Sequence, residues 1–241
     1  PPRWCVRLFL VVAARPAAEG GFVLTELGAA AELLCLAAAP TPHGYEVWAG
    51  GDGLYAYTVG EGGVSGAESL PAASRVTLLV AAEREPYVIA YCEPGVCVYQ
   101  WSVRGKQQTA RLDCSKLVPC SESLQSIAMD EQLGADRSRV TALAALRDEL
   151  YVGTAWGCVI VAAVATLRPL TVFRPYEGDI RAIVPLLPHE GVEGDGMIAT
   201  FGRGYRPLLQ RYALAQSSNN SNNNYSGYYC LLWRTHHWLP D

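Results

Sequence analysis

The sequence predicts an all-β fold, a β-propeller of antiparallel blades, on three observations. Half of the 241 residues are hydrophobic and 17% are charged, enough apolar surface for a sizeable buried core. Short apolar runs are broken by glycine turns: Trp48-Ala49-Gly50 leads to Gly53-Leu54-Tyr55-Ala56-Tyr57, and Tyr151-Val152-Gly153 leads to Gly157-Cys158-Val159-Ile160-Val161. Two apolar runs around a short glycine-bearing turn read as a hairpin. The chain also repeats itself. SRVTLLVAAEREPYVIAY from Ser74 matches SRVTALAALRDELYVGT from Ser138, and GDIRAIVPLLP from Gly178 keeps the apolar spacing. Self-similarity at a period of tens of residues marks arrays and propellers.

Taken in order, residues 1–43 are alanine-rich and carry a partial N-terminal blade from Cys5 to Glu26. The run WCVRLFLVVAAR from Trp4 has the outline of a signal peptide, but Arg7 interrupts its apolar stretch and Pro1 stands where a start methionine would, which reads as a fragment. Residues 44–241 hold blades centred near Val47, Val88, Val152 and Ile198. Each reads as an inner strand (Val76 to Ala81, Val140 to Leu146), a second strand ending at a glycine turn, a third such as Val96 to Trp101, and a fourth such as Leu170 to Arg174. VIAYCEPGVCVYQW and MIATFGRGYRPLLQRY read as two further hairpins. The turn glycines Gly50, Gly95, Gly157 and Gly204 fall 45, 62 and 47 residues apart, and Gly153 joins Gly157 in its turn. The long interval contains a polar insertion at about 105–137, read as a surface excursion with a helix candidate at Ser121 to Gln132. Four to five blades are counted, part of a ring expected to have seven.

The totals narrow the partners. With 19 basic and 23 acidic residues, the net charge of −4 supplies no basic field for nucleic acid, so proteins are the expected partners. No apolar run approaches the eighteen or so residues that span a bilayer as a helix, so no transmembrane segment is expected. Of eight cysteines, Cys35, Cys97, Cys158 and Cys230 sit in apolar runs, where a free thiol behaves as a small hydrophobe; this suits a reducing, cytoplasmic setting. Cys92 with Cys97 and Cys114 with Cys120 lack the second pair or histidines of a zinc site, so no metal is expected. The Asn-x-Ser sequons at Asn219 and Asn224 matter only in a secreted protein.

Catalytic patterns do not emerge. Kinase segments and a Gly-x-Ser-x-Gly elbow are missing from the sequence, and Gly105-Lys106 has Gln100 where a P-loop needs its first glycine, so it reads as a polar turn. His43 and His189 adjoin prolines and read as solvated, as does the tail pair His236-His237. No catalytic, cofactor-binding or metal residue is therefore assigned. The glycines of LYVGTAWGCVIV turn the chain between strands and cradle no phosphate, because a strand rather than a helix follows them. Trp48 and Tyr151 are expected to pack, whereas Trp156 is the aromatic candidate for a partner surface. Arg203 and Arg206, flanking Gly204 and Tyr205, read as a solvated loop that also offers a charged contact.

The succession YEVWAGGDGLYAYTV, SRVTLLVAAEREPYVIAY, SRVTALAALRDELYVGTAWGCVIV and ATLRPLTVFRPYEGDIRAIV, closing on an asparagine-rich loop and YYCLLWRTHHWLPD, resembles the C-terminal WD-repeat propeller of the leucine-rich-repeat Roco kinases. The resemblance covers most of Gly44 to Trp238 and is strongest from Ser138 to Val184. The Trp-Asp dipeptide is absent, with Trp101-Ser102 and Trp233-Arg234 in its place. The resemblance implies a non-catalytic interaction domain in a large cytoplasmic serine/threonine kinase whose GTP-binding and kinase domains, using GTP, ATP and Mg, lie upstream. It also implies support for dimerisation, kinase regulation, recruitment to vesicles, endosomal membranes or the cytoskeleton, and Rab GTPases as the parent's substrates. Propellers of the JNK-interacting scaffolds and of some Rho exchange factors end similarly and supply the alternative.

Overall fold

The structure, a computed structural model, describes residues 9–11, 24–26, 33–42, 44–60, 63–72, 74–118, 137–176, 178–186 and 197–212. It divides into two compact units, Pro1–Asp113 with Val164–Leu167, and Cys114–Ala163 with Arg168–Asp241.

In the first unit, β1 (Phe9–Val11) pairs with β2 (Leu24–Glu26). Two four-stranded antiparallel sheets follow. One contains β3 (Leu33–Thr41), β4 (Gly44–Gly51), β5 (Leu54–Gly60) and β6 (Gly63–Leu70). The other contains β7 (Arg75–Ala81), β8 (Tyr87–Glu93), β9 (Cys97–Ser102) and β10 (Gln108–Asp113). Each is a simple meander, because short turns join neighbouring strands and only antiparallel pairs close over so few residues. Trp48, Leu54, Val76, Val88 and Trp101 from both sheets share one core.

The second unit holds β11 (Val140–Leu146), β12 (Glu149–Thr154), β13 (Val159–Ala163) and β14 (Pro169–Tyr176) as a further meander. A hairpin of β15 (Ile180–Leu186) and β16 (Met197–Gly202) packs beside it, and β17 (Tyr205–Tyr212) is the last strand. Tyr151, Val159, Phe173, Ile180 and Ile198 form the core here.

The sequence repeat has a structural counterpart in the backbone. Register slips between Leu33 and Cys35 on β3, Val76 and Leu78 on β7, Val140 and Ala142 on β11, and Ile180 and Ala182 on β15. In four sheets, therefore, the first strand slips register by one residue early in its length, as a β-bulge does.

Several expectations are corrected. The division after residue 43 falls inside one sheet, since β3 pairs with β4 along its length from Leu33 opposite Gly51 to Thr41 opposite Gly44. The insertion read from residue 105 starts too early: Gln108–Asp113 pairs with β9 and completes that sheet, because its alternation of threonine, arginine and leucine suits an edge strand with one wet face. Met197 to Tyr212 is not a hairpin. β16 pairs with β15, and β17 instead satisfies the open edge of β14 as a fifth strand.

Gly50 and Gly153 are not turn residues; they lie within β4 and β12. A Cβ on Gly50 would stand 2.5 Å from Val76 Cγ1, and one on Gly153 would stand 2.6 Å from Ile180 Cγ2. In both units the second strand thus gives up a side chain so that the first strand of the next sheet can seat a branched one against its backbone. Gly95 lies in the β8–β9 turn, where its N–H donates to the Cys92 carbonyl at 3.0 Å. Gly157 and Gly204, in the β12–β13 and β16–β17 turns, hold φ of 71° and 69°.

Candidate functional site

The turn between β12 and β13 is closed by its own backbone. The Thr154 N–H donates to the Cys158 carbonyl at 2.9 Å, and the Gly157 N–H donates to the Thr154 carbonyl at 3.1 Å. Further bonds tie it to the entry of β11, with Ala155 N–H to the Arg139 carbonyl at 2.9 Å and Trp156 N–H to the Arg137 carbonyl at 3.1 Å.

Trp156 is half-buried, and its indole carries two guanidinium groups. Arg137 lies 4.1 Å from the ring on one contact and Arg174 3.9 Å on another, while Arg174 Nε donates to the Trp156 carbonyl at 2.8 Å. A guanidinium over an aromatic ring is attracted by the ring's quadrupole, the more so when desolvated. Arg174 is 4% exposed, so this contact and the carbonyl offset part of the cost of burying its charge.

The β14–β15 loop packs onto the same turn. A Cβ on Gly157 would come within 2.3 Å of the Tyr176 carbonyl oxygen and 2.6 Å of that of Gly178. Gly178 N–H donates to the Arg203 carbonyl at 2.8 Å, and Arg203 N–H donates to that of Asp179 at 3.1 Å. Through Gly178 the structure therefore brings the turns of Trp156 and Arg203 onto one rim. Arg203 is exposed, with its Nε 3.5 Å from Asp179, and the exposed Arg181 lies 3.7 Å from the same carboxylate. Arg206 lies in β17, and its side chain is outside the described residues.

This rim can present cations to a partner and hold them in place. Sequence reading singled out Trp156 and Arg203 but missed Arg137, Arg139, Arg174 and Arg181, whose signal is that arginines recur where strands meet this rim. Trp48 and Tyr151 are buried as expected, at 0% and 5% exposure. Among the described residues no three His, Cys, Asp or Glu side chains gather as metal ligands. All four histidines, Cys230, Trp233, the sequons and the helix candidate at Ser121 to Gln132 lie outside the described residues.

A second concave feature belongs to the first unit, a cavity of about 530 Å³ lined by Pro42, Glu46, Thr58, Glu83, Pro86 and Arg104 among others. Its Glu46 is engaged within the fold: Lys106 forms an ion pair with it, and Trp48 Nε1 donates to it at 3.2 Å. The Lys106 ammonium also stands 5.0 Å from the Trp48 ring, so these groups satisfy one another.

The family model described as the LRRK2 beta propeller matches residues 73–224. The leucine-rich repeat serine/threonine-protein kinase 1 of Caenorhabditis elegans is 39% identical over 85 residues, a stretch covering 34% of this chain and 3% of that protein. Among solved structures, the computationally designed Ika4 protein aligns with a TM-score of 0.48 and 18% identity, covering 77% of this chain and 93% of that one. The WD40 repeats of RRP9 align at 0.44 and 15%, covering 63% and 41%. The family match spans more than half of the chain and selects the kinase-associated resemblance over the scaffold one: this chain belongs to the LRRK2 β-propeller family, the WD-repeat propeller of leucine-rich-repeat Roco serine/threonine kinases.

Proposed function

We propose that this propeller is the non-catalytic protein-interaction domain of a multidomain leucine-rich-repeat kinase, acting through the Trp156 rim. The observation that carries the reading is the convergence of three turns that hold exposed Arg181 and Arg203 beside an indole fixed by two further arginines. Arginine and tryptophan are enriched among residues that dominate interface energies. In this reading the rim supports self-association of the parent, regulation of its kinase and recruitment to vesicles or the cytoskeleton in the cytoplasm. ATP, Mg and GTP serve upstream domains, and Rab GTPases are the kinase's substrates.

The test reverses charge on the intact parent kinase. Arg181→Glu with Arg203→Glu should cut self-association or co-purification of partner proteins at least fivefold, while phosphorylation of a generic peptide continues. An unchanged partner set and oligomeric state would reject the rim as the interaction surface.

A further inference from the structure

The Trp156 rim is locally basic in an acidic chain. Among its described side chains are Arg137, Arg139, Arg174, Arg181 and Arg203 against the single carboxylate of Asp179, while the whole chain carries a net charge of −4. Arg139, Arg181 and Arg203 are exposed, and the side chains of the last two keep 60% and 72% of their accessible surface.

Asp179 shows what this rim recognises. Its carboxylate lies between Arg181 and Arg203, at 3.7 and 3.5 Å, so one anion is shared by two guanidinium groups. Each guanidinium has five N–H donors in a planar fork suited to carboxylates, and a single carboxylate cannot occupy ten. Both arginines, with 60% and 72% of their side-chain surface accessible, therefore retain donor capacity for a second anion. The backbone bonds between Gly178, Asp179 and Arg203 fix their spacing, which lowers the ordering cost of binding. Exposed Phe201, opposite Ala182, and exposed Val184 place apolar surface on the same two strands that lead into Arg203 and out of Arg181.

We infer that the rim binds an acidic polypeptide segment, one that presents side-chain carboxylates to Arg139, Arg181 and Arg203 and an apolar side chain to Phe201. This names the partner chemistry of the interaction surface proposed above and rests on that reading. A polypeptide is favoured over a lipid surface because the anion that Arg181 and Arg203 share within the fold, Asp179, is a side-chain carboxylate rather than a phosphate.

Fluorescence anisotropy of labelled deca-glutamate with the 241-residue chain tests it. Binding should weaken at least tenfold between 50 and 300 mM salt, as counterion-screened contacts do. It should weaken at least tenfold in Arg181→Glu/Arg203→Glu, and not in Arg104→Glu, a control in the first unit, with circular dichroism unchanged in both variants. No binding of deca-glutamate, or equal binding by the double variant, overturns the inference. Cosedimentation with phosphatidylserine vesicles but not deca-glutamate binding assigns the rim to membranes and likewise overturns it. If the double variant loses partners in the parent kinase while deca-glutamate fails to bind, the interaction rim stands and only its acidic partner chemistry falls.

Discussion

At position 156 an indole carries two guanidinium groups, and each such contact is worth about 0.5–2 kcal/mol depending on burial. Trp156→Ala removes both and leaves the buried Arg174 without its ring, so unfolding by denaturant should show a loss of about 2–4 kcal/mol. Trp156→Phe, which keeps a weaker ring face, should recover part of it. Trp156 thus holds two arginines in place at the rim proposed to meet a partner. Gly157 is constrained in a different way. Its φ of 71° disfavours any side chain, and a Cβ would meet carbonyl oxygens that cannot move independently. Gly157→Val should cost about 3–5 kcal/mol and lower the thermal midpoint, combining left-handed strain with overpacking. Gly105→Ala, where the nearest neighbours stand at 3.4 Å and belong to side chains, should change stability by less than about 0.5 kcal/mol.

At the scale of elements, two of the sheets share both a register slip and an unsatisfied hydroxyl within it. Thr77 and Thr141 follow Val76 and Val140 in the Ser-Arg-Val-Thr repeats, and both hydroxyls are buried without a hydrogen-bond partner among the described residues. Thr141→Val removes the unsatisfied hydroxyl at nearly constant volume, so it should raise stability by about 1 kcal/mol in urea unfolding. Packing of β3 on β7 makes a pH-dependent contribution. Cys35 donates to the Val76 carbonyl at 3.6 Å, and burial pushes its thiol up to about 12. Because the folded value lies above the unfolded one, this stabilisation is complete below about pH 9 and is lost as pH rises towards 12. The stability advantage of the wild type over Cys35→Ala should therefore shrink between pH 8 and 11. Strands and their order were legible because apolar runs and the Ser-Arg-Val-Thr repeat are local signals. The destination of β17 was not, since an edge strand is chosen by which open edge lies within reach. Gly50 and Gly153 misled for a related reason: sequence alone does not distinguish a glycine needed for a turn from one that makes room for Val76 or Ile180.

For the whole molecule, family membership and blade architecture follow from the repeat and the match over residues 73–224, while the rim proposed to bind a partner depends on tertiary convergence. Trp156 and Arg203 were visible as residues, but Arg137, Arg174 and Arg181 join them only because three turns meet at Gly178. Their surface lies in the second unit, whereas the cavity near Glu46 and Arg104 lies in the first, so binding to one can be separated from binding to the other. Hydrogen–deuterium exchange of the 241-residue chain with and without saturating deca-glutamate makes that separation directly. Slowed exchange confined to residues 137–139, 154–158, 178–181 and 201–204 is the predicted result. Protection at residues 83–86 and 103–104 instead, or no protection in the three rim turns, would contradict the assignment of the Trp156 rim as the binding surface.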